Sequence, residues 1–197
     1  MDSLLNLQAR VKRCRPAHTL MGFFFQGALE HLEHLIGEGV AEEIREKVPC
    51  TREPLLPVLF YPVSDYLKLL QLGARALVVR GRSFPAAMEA LGYGSAQGLF
   101  SSSMGRMVLA AGEKTPHGGL AEVPSVARMV TSFGKREYQQ VAEDRGRLVL
   151  RGEFPGPSWA TGMYRAGLER MTGRACTIEV APSAFVPYLD FALELHW

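Results

Sequence analysis

The end of the chain alternates strictly between apolar and polar or small side chains. Residues two apart on a strand share one face, so this alternation predicts a strand with one buried and one solvent-facing side. We expect the strand, which starts at about residue 188, to end on a buried tryptophan. Its apolar face comprises Leu189, Phe191, Leu193, Leu195 and Trp197.

Apolar residues recur at helical spacing through the first two thirds of the chain. Ser64 and Ser83 are the predicted N-terminal caps of two of these helices. Gly92, Tyr93 and Gly94 are expected to form a tight turn between helices, and residues 115–119 a loop. The predicted helices span residues 19–36, 40–48, 64–79, 84–91, 96–111 and 124–133.

The last third has the composition of a sheet. Strands are predicted over 135–141 and 147–153, and a third strand contains Cys176, Ile178 and Val180 on one face, before a turn at 182–187. A helix over 158–173 separates the second strand from the third. This segregation predicts an α+β fold, in which an N-terminal helical layer precedes a four-stranded antiparallel sheet with one crossing helix.

Length and composition fit one domain. The 197 residues are 47% hydrophobic and 21% charged, values of an ordinary globular protein. We expect a single domain over 1–197, with a helical subregion at 19–133 and a sheet subregion at 135–197. Residues 1–18 contain four cations between positions 10 and 15 and are interpreted as a solvated basic arm. The net charge of +2 gives no reason to expect a nucleic-acid partner.

Cysteine usage and hydropathy favour a reduced, cytoplasmic setting. Cys14, Cys50 and Cys176 are odd in number and widely spaced, which fits neither a disulfide framework nor a zinc site. Cys14 lies among cations that are expected to lower its pKa and favour the thiolate. Neither a signal peptide nor a membrane span is expected, since the apolar stretches are short.

Two motifs resemble binding sites only at first sight. His31 and His34 are three residues apart, whereas the helical zinc motif places its histidines four apart, and His34 lies opposite the apolar stripe. We therefore expect no metal there. The glycines at 92, 94 and 98 follow a predicted helix, whereas a dinucleotide-binding loop follows a strand.

Nucleophile motifs are also missing. Residues 101–103 are three serines without a Gly-x-Ser-x-Gly elbow, and no spacing identifies His117 as their base. Carboxylates lie mostly on polar faces, away from the apolar settings that raise a pKa for acid catalysis. We expect a protein that is not an enzyme. A hydrolase that uses residues 101–103 or a cysteine is the third hypothesis.

Short segments, in their order along the chain, carry a family resemblance. Four of these segments lie in the last third of the chain, at 147–150, 162–168, 175–180 and 191–197. Three predicted helices precede them, at 23–36, at 40–48 and after Tyr61 and Pro62. In this order they resemble haem-NO-binding (H-NOX) domains. The whole chain also resembles an uncharacterised myxobacterial paralogous family of about this length. That likeness lies in residues 87–92, 100–106, 124, 133–134, 155–162 and 197.

The resemblance implies a fold more than a function. H-NOX domains carry a proximal histidine on a helix before the sheet, and a Tyr-x-Ser-x-Arg motif whose side chains hold the haem propionates. This sequence has no Tyr-x-Ser-x-Arg, and its one central histidine, His117, stands between Pro116 and Gly118. No cofactor is therefore expected.

The first hypothesis is a non-enzymatic regulatory or signalling module that binds a small apolar ligand or a protein partner. A pocket between the helices and the sheet is expected to be lined by Phe24, Phe25, Trp159 and Met163. The competing interpretation is that all four are ordinary core residues. The alternative function is a haem-based gas sensor with a non-standard axial ligand. The sequence leaves a homodimer open.

Overall fold

A computed structural model describes residues 2–111, 115–181 and 189–197. None of the helices in these ranges combines the length and the apolar character needed to cross a membrane. The helices, numbered α1 to α9, span Leu4–Val11, Phe23–Ile36, Glu38–Lys47, Val63–Val79, Phe84–Ser101, Ser103–Ala111, Pro116–Ala121, Val123–Val130 and Pro157–Thr172.

Two antiparallel sheets accompany the helices. The small one pairs β1 with β2, and the larger one has the strand order β3-β4-β6-β5 with every neighbouring pair antiparallel. The predicted α+β architecture with a four-stranded antiparallel sheet is confirmed. The strands span Thr19–Met21 (β1), Phe60–Pro62 (β2), Lys135–Ala142 (β3), Arg145–Arg151 (β4), Thr177–Ala181 (β5) and Phe191–His196 (β6).

Helix α5 packs against both α2 and α9, and glycines bring their backbones together. A Cβ atom built on Gly92 lies 2.0 Å from the carbonyl oxygen of Trp159, and one on Gly98 lies 2.2 Å from that of Phe23. The turn predicted at residues 92–94 is therefore wrong, because α5 runs through them without a break. Gly92 and Gly98 therefore allow α5 to pack closely against α9 and α2.

The N-terminal arm is a helix that docks on the core. Arg10 on α1 is fully buried, lies 3.0 Å from the carboxylate of Asp2, and donates a hydrogen bond to the carbonyl oxygen of Pro155 at 3.2 Å. A Cβ atom on Gly156 would lie 2.5 Å from the Arg10 guanidinium. The interpretation of residues 1–18 as a solvated arm is wrong for Arg10, because its guanidinium is buried against this carboxylate and carbonyl.

Helix boundaries differ from prediction where tertiary contacts intervene. Thr19–Met21 forms β1 rather than the first turn of a helix, because it pairs with β2. Ser64 lies inside α4, which begins directly after Pro62, so it is not the cap. Ser83 is the N-terminal cap of α5, since its hydroxyl accepts a hydrogen bond from the amide of Ala86 at 3.3 Å.

The predicted loop at 115–119 contains the start of helix α7. The Thr115 hydroxyl accepts from the amide of Gly118 at 3.1 Å, and Pro116 occupies the first helical position. Proline suits this position because its missing N–H has no intrahelical partner there. The two glycines that suggested a loop are tolerated in this capped, six-residue helix.

The sheet side of the prediction needs two corrections. Phe191, Leu193 and Leu195 of β6 are buried as predicted, but Trp197 lies past the strand and is only half-buried. Val180 on β5 pairs with Leu193 and so lies on the predicted face with Ile178, but its side chain is 46% exposed. The predicted turn at 182–187 and the first residue of the predicted last strand lie outside the described residues.

Candidate functional site

A cavity of about 510 Å³ lies where α2, α5, α7, α8 and α9 meet the start of the large sheet. Its wall is predominantly apolar, and it has few polar groups, as is typical of small-molecule sites. The apolar lining includes Leu20, Phe24, Leu99, Phe100, Leu120, Val123, Val126, Val130, Phe133, Trp159, Met163, Leu168 and Met171.

One buried ion pair interrupts the apolar wall. Arg136 on β3 lies 2.5 Å from the Oε2 atom of Glu153, which follows β4. Its other terminal nitrogen donates to the hydroxyl of Thr131 at 3.1 Å and to the carbonyl of Phe133 at 2.9 Å. Burial works to lower the pKa of Arg136, but Glu153 and Tyr164 more than offset it and hold that pKa above its usual value. The guanidinium is therefore charged and well satisfied.

The carboxylate of Glu153 is satisfied on one side only. Its side chain is 2% exposed, and its Oε1 atom has no hydrogen-bond partner among the described residues. A buried acceptor without a partner is unfavourable by about 1–3 kcal/mol, and more when charged. Glu153 is among the residues that line the cavity, but its Oε1 atom is itself buried and is not open to the cavity space.

Trp159 is held in the wall by a buried chain of hydrogen bonds. Its indole N–H donates to the hydroxyl of Tyr66 at 2.9 Å, and the Tyr66 and Ser95 hydroxyl oxygens lie 2.5 Å apart. Ser95 in turn donates to the carbonyl of Leu91 at 2.7 Å. Burial raises the pKa of Tyr66, so its phenol stays protonated. The chain fixes the orientation of one cavity aromatic from α4 and α5.

Comparison with known sequences identifies the family. A family model described as "Protein of unknown function (DUF2378)" matches residues 13–197. The chain belongs to this family. A search of curated proteins finds no match to the chain. For this DUF2378 protein, structural comparison therefore carries the remaining information.

Solved H-NOX structures share the fold. An H-NOX protein from S. oneidensis in the Fe(II)NO ligation state has a TM-score of 0.72 at 14% identity, covering 90% of this chain and 98% of that one. The Fe(II) unliganded H-NOX protein from K. algicida has a TM-score of 0.68 at 12% identity, covering 90% and 96%. An oxygen-binding H-NOX domain related to soluble guanylate cyclases, in its oxygen complex, has a TM-score of 0.66 at 10% identity, covering 90% of this chain and 94% of that one. The resemblance to H-NOX domains is confirmed for the fold.

The residues around the cavity do not fit a haem iron. All five histidines and three cysteines of the chain lie in the described residues, and none lines the cavity. Of the other groups that ligate haem iron, Tyr164 and two methionine thioethers are present. Burial raises the pKa of Tyr164 to about 12, which disfavours the phenolate that would bind iron. Arg136, the buried cavity cation, is already paired with Glu153.

His117 lies outside the cavity. Its Nδ1 atom contacts the hydroxyl of Tyr138, its Nε2 atom lies 2.9 Å from the carbonyl of Glu143, and its ring packs edge-on against Trp197. Both ring nitrogens are therefore engaged by the sheet. His117, the one central histidine of the sequence, attaches α7 to β3 and to Trp197.

The predicted pocket residues separate into two groups. Phe24, Trp159 and Met163 line the cavity. Phe25 does not; it is fully buried and packs edge-on against Tyr66, with ring centroids 5.0 Å apart. Neighbouring positions on α2 point in different directions, so Phe24 and Phe25 cannot both face one cavity easily.

Sequence reasoning missed Arg136 and Glu153. Each stands at the end of a predicted strand among other charged residues, where a solvated side chain is the usual outcome. The local signal that separates them from their neighbours is weak, since the pair is 17 residues apart and meets through the hairpin. Glycines at positions 134 and 152, both with positive φ, mark the irregular backbone next to each of them.

Among the candidate nucleophiles, Ser102 has a structural role and two cysteines have raised pKa values. The Ser102 hydroxyl accepts from the amide of Gly105 at 3.0 Å and so caps α6. Burial raises the pKa of Cys14 to about 11. The pKa of Cys50 is raised to about 12, and burial is the largest cause of that shift. The expectation that cations lower the Cys14 pKa is therefore wrong. Among the described residues, no three His, Cys, Asp or Glu side chains are placed to hold a metal ion.

Proposed function

We propose that this protein is a non-enzymatic regulatory module that binds a small, largely apolar ligand in the cavity between its helices and its sheet. The cavity carries the proposal, because about 510 Å³ of mostly apolar space is the size and character of a small-molecule site. A core that served stability alone would be packed closely and would gain free energy from filling this space.

The fold supports a ligand-binding role by analogy. Solved H-NOX structures with the same architecture include one in the Fe(II)NO ligation state and one in an oxygen complex, so those proteins hold small molecules. The absence of histidine and cysteine from the cavity lining separates this chain from a haem-based sensor. A ligand that fills the cavity without a metal–ligand bond is the function that the lining supports best.

The placement of reactive groups supports a role without catalysis. Nucleophilic catalysis requires a nucleophile, a base and a group that orients the base. The nitrogens of His117 face Tyr138 and Glu143 rather than a serine, and Ser102 caps a helix. The raised pKa of Cys14 also keeps that residue in its unreactive thiol form at neutral pH.

A dye-binding experiment tests the proposal. The neutral apolar dye N-phenyl-1-naphthylamine is titrated into purified protein, and we expect saturable, one-to-one binding with increased dye emission. Val126 lines the cavity, so Val126→Phe fills part of it and should weaken binding at least tenfold. Val141 is 55% exposed on β3, and the same change there, Val141→Phe, is the matched control and should leave affinity unchanged. Equal affinity in both variants would place the dye elsewhere.

A haem titration tests the rival function. Hemin added to the purified protein should give no Soret band of a histidine-ligated iron. A stoichiometric Soret band that disappears in His117→Ala would contradict the proposal and establish the haem sensor. The same spectrum recorded on Tyr138→Phe, which leaves His117 in place, controls for damage to the surrounding sheet.

A further inference from the structure

One cation at the opening of the cavity has no acidic partner. Arg170 on α9 lines the cavity and is also exposed to solvent. Its guanidinium carbon lies over the ring of Phe100, another lining residue, 5.4 Å from the ring centroid. Within the part of the chain that the structure describes, this guanidinium forms no ion pair and donates no hydrogen bond. The opening of the cavity therefore has a positive charge whose N–H donors are available.

The deeper polar groups of the lining already interact with one another. Arg136 pairs with Glu153 and also forms a side-chain hydrogen bond with Tyr164. The side chains of Arg136 and Glu153 are only 6% and 2% exposed, and together they carry no net charge. A charged ligand group beside them would lose its water without gaining a counter-ion, which is unfavourable. The polar end of a ligand is better placed at the opening, where Arg170 lies.

The nearby carboxylates leave Arg170 unpaired. Glu169, its neighbour on α9, accepts a hydrogen bond from the hydroxyl of Tyr93 on α5. Glu122 is the exposed acidic residue of the lining, and among the described residues it forms no ion pair with Arg170 and no capping hydrogen bond to α8. The ring of Phe100 holds the guanidinium in place, whereas no such contact holds Glu122. A charged ligand group therefore meets the better positioned partner at Arg170.

We propose that the ligand is an apolar monocarboxylate, whose chain occupies the cavity and whose carboxylate binds the guanidinium of Arg170 at the opening. This inference rests on the proposed ligand-binding function and adds the chemical class of the ligand. A planar guanidinium presents pairs of N–H donors that match the two oxygens of a carboxylate. At the opening the carboxylate also keeps part of its hydration, which limits the desolvation penalty that a fully buried ion pair incurs.

The charges at the opening favour one negative charge on the ligand. Arg170 supplies one positive charge, and Glu122 places one negative charge in the same lining. A phosphate monoester carries about −1.5 to −2 charges at neutral pH, so part of its charge would be uncompensated beside Glu122. An ammonium group would be repelled by Arg170, and a neutral alcohol would make no use of its charge. A monocarboxylate matches the single guanidinium.

Probes that share one chain length and differ in head group test the inference. Decanoate, decan-1-ol, n-decylammonium and decyl phosphate each compete with N-phenyl-1-naphthylamine for the wild-type protein at neutral pH. Val126→Phe fills part of the cavity and should weaken decanoate binding at least tenfold, as expected for the dye. Decanoate that binds the outer surface alone would be insensitive to this change, and that result would overturn the assignment.

The variant Arg170→Gln removes the charge and keeps a long polar side chain. The ratio of decanoate to decan-1-ol affinity should fall about three- to fivefold, the upper range for an exposed ion pair. Comparing this ratio between proteins cancels the different transfer of the two probes from water. Arg174→Gln is the matched control, because Arg174 is also exposed, forms no ion pair among the described residues and does not line the cavity. That variant should keep the wild-type ratio.

Ionic strength provides a measurement that does not depend on a variant. Salt screens exposed charges, so the decanoate-to-decanol ratio of the wild-type protein should fall as sodium chloride is added. The same titration should leave the ratio of Arg170→Gln nearly level. Arg170→Lys retains the charge without the planar guanidinium and should keep part of the wild-type ratio. A wild-type ratio that does not respond to salt would contradict the contact with Arg170.

The outcomes separate this inference from the proposed function. An unchanged ratio in Arg170→Gln would overturn the carboxylate assignment, while binding of the dye and of decan-1-ol would leave the ligand-binding function standing. Tightest binding of n-decylammonium, weakened by Glu122→Gln, would assign a cation instead and overturn the inference. Tighter binding of decyl phosphate than of decanoate would also overturn it. Failure of the dye and of every probe to bind would overturn both proposals.

Discussion

The indole N–H of Trp159 donates to the hydroxyl oxygen of Tyr66 across 2.9 Å, and this bond joins α9 to α4 behind the cavity wall. Tyr66 is fully buried, and its ring also packs edge-on against that of Trp159 with centroids 6.1 Å apart. The Ser95 hydroxyl on α5 completes the set, so three helices meet at one phenol. The shape of the cavity depends on this junction.

Tyr66→Phe should destabilise the protein by about 1–3 kcal/mol, because it leaves the Trp159 N–H buried without an acceptor. Urea unfolding followed by circular dichroism measures the change. Tyr61→Phe removes a hydroxyl that accepts from the amide of Leu56 in an exposed setting, and it should be milder. Equal effects of the two substitutions would mean that water reaches the Trp159 nitrogen in the variant.

The sequence predicted a helix where α2 lies and the alternation of β6, because each depends on periodicity within one segment. It did not predict that α5 is continuous. Gly92 and Gly94 read locally as helix breakers, and only the presence of the neighbouring backbones explains them. A Cβ atom on Gly94 would lie 2.4 Å from the Cβ atom of His31 on α2, a contact that no local pattern reveals.

Gly92→Ala should destabilise the protein by about 3 kcal/mol, the upper range for overpacking, because its Cβ would meet backbone rather than a movable side chain. The better helix propensity of alanine offsets only part of this, up to about 1 kcal/mol. Gly39→Ala on α3 is the control, since nothing lies within 4 Å of its Cβ position. We expect it to be stabilising by up to about 1 kcal/mol in the same urea titration. Two stabilising substitutions would show that α5 and α9 pack less closely than described.

The lining of the cavity was anticipated only in part. Phe24, Trp159 and Met163 lie in it, and Phe25 does not. Whether a buried face meets a neighbour or a space depends on the relative position of several helices, which periodicity within one helix does not encode. The Arg136–Glu153 pair depends on hairpin register, so its burial emerges only in three dimensions.

Cys14 should be a slow nucleophile. Burial raises its pKa from the usual 9.0 to about 11, so well below pH 9 the folded protein holds roughly a hundredfold less thiolate than the unfolded chain. Iodoacetamide labelling, read by peptide mass, should accelerate up to about pH 11 in the native protein and level off nearer pH 9 in urea.

The same shift makes folding sensitive to alkali. Between pH 9 and about 11 the folded state binds more protons at Cys14 than the unfolded state, so stability declines as pH rises through this window. Cys14→Ala should flatten that part of the decline. Labelling of the native protein that already levels off near pH 8 would instead mean that the neighbouring cations control the thiol, as the sequence alone suggested.

Trp197→Ala should be destabilising by about 1–2 kcal/mol, less than the 3–5 kcal/mol typical of a fully buried aromatic. The ring is only half-buried, and it packs edge-on against His117 at a centroid distance of 4.8 Å. Leu193→Ala, on the fully buried face of β6, provides the comparison and should be destabilising by about 2–5 kcal/mol. Thermal melting of both variants ranks them. A Trp197 variant that melts below the Leu193 variant would mean that the chain end, with the α7 contact it makes through His117, stabilises the sheet more than the strand core does.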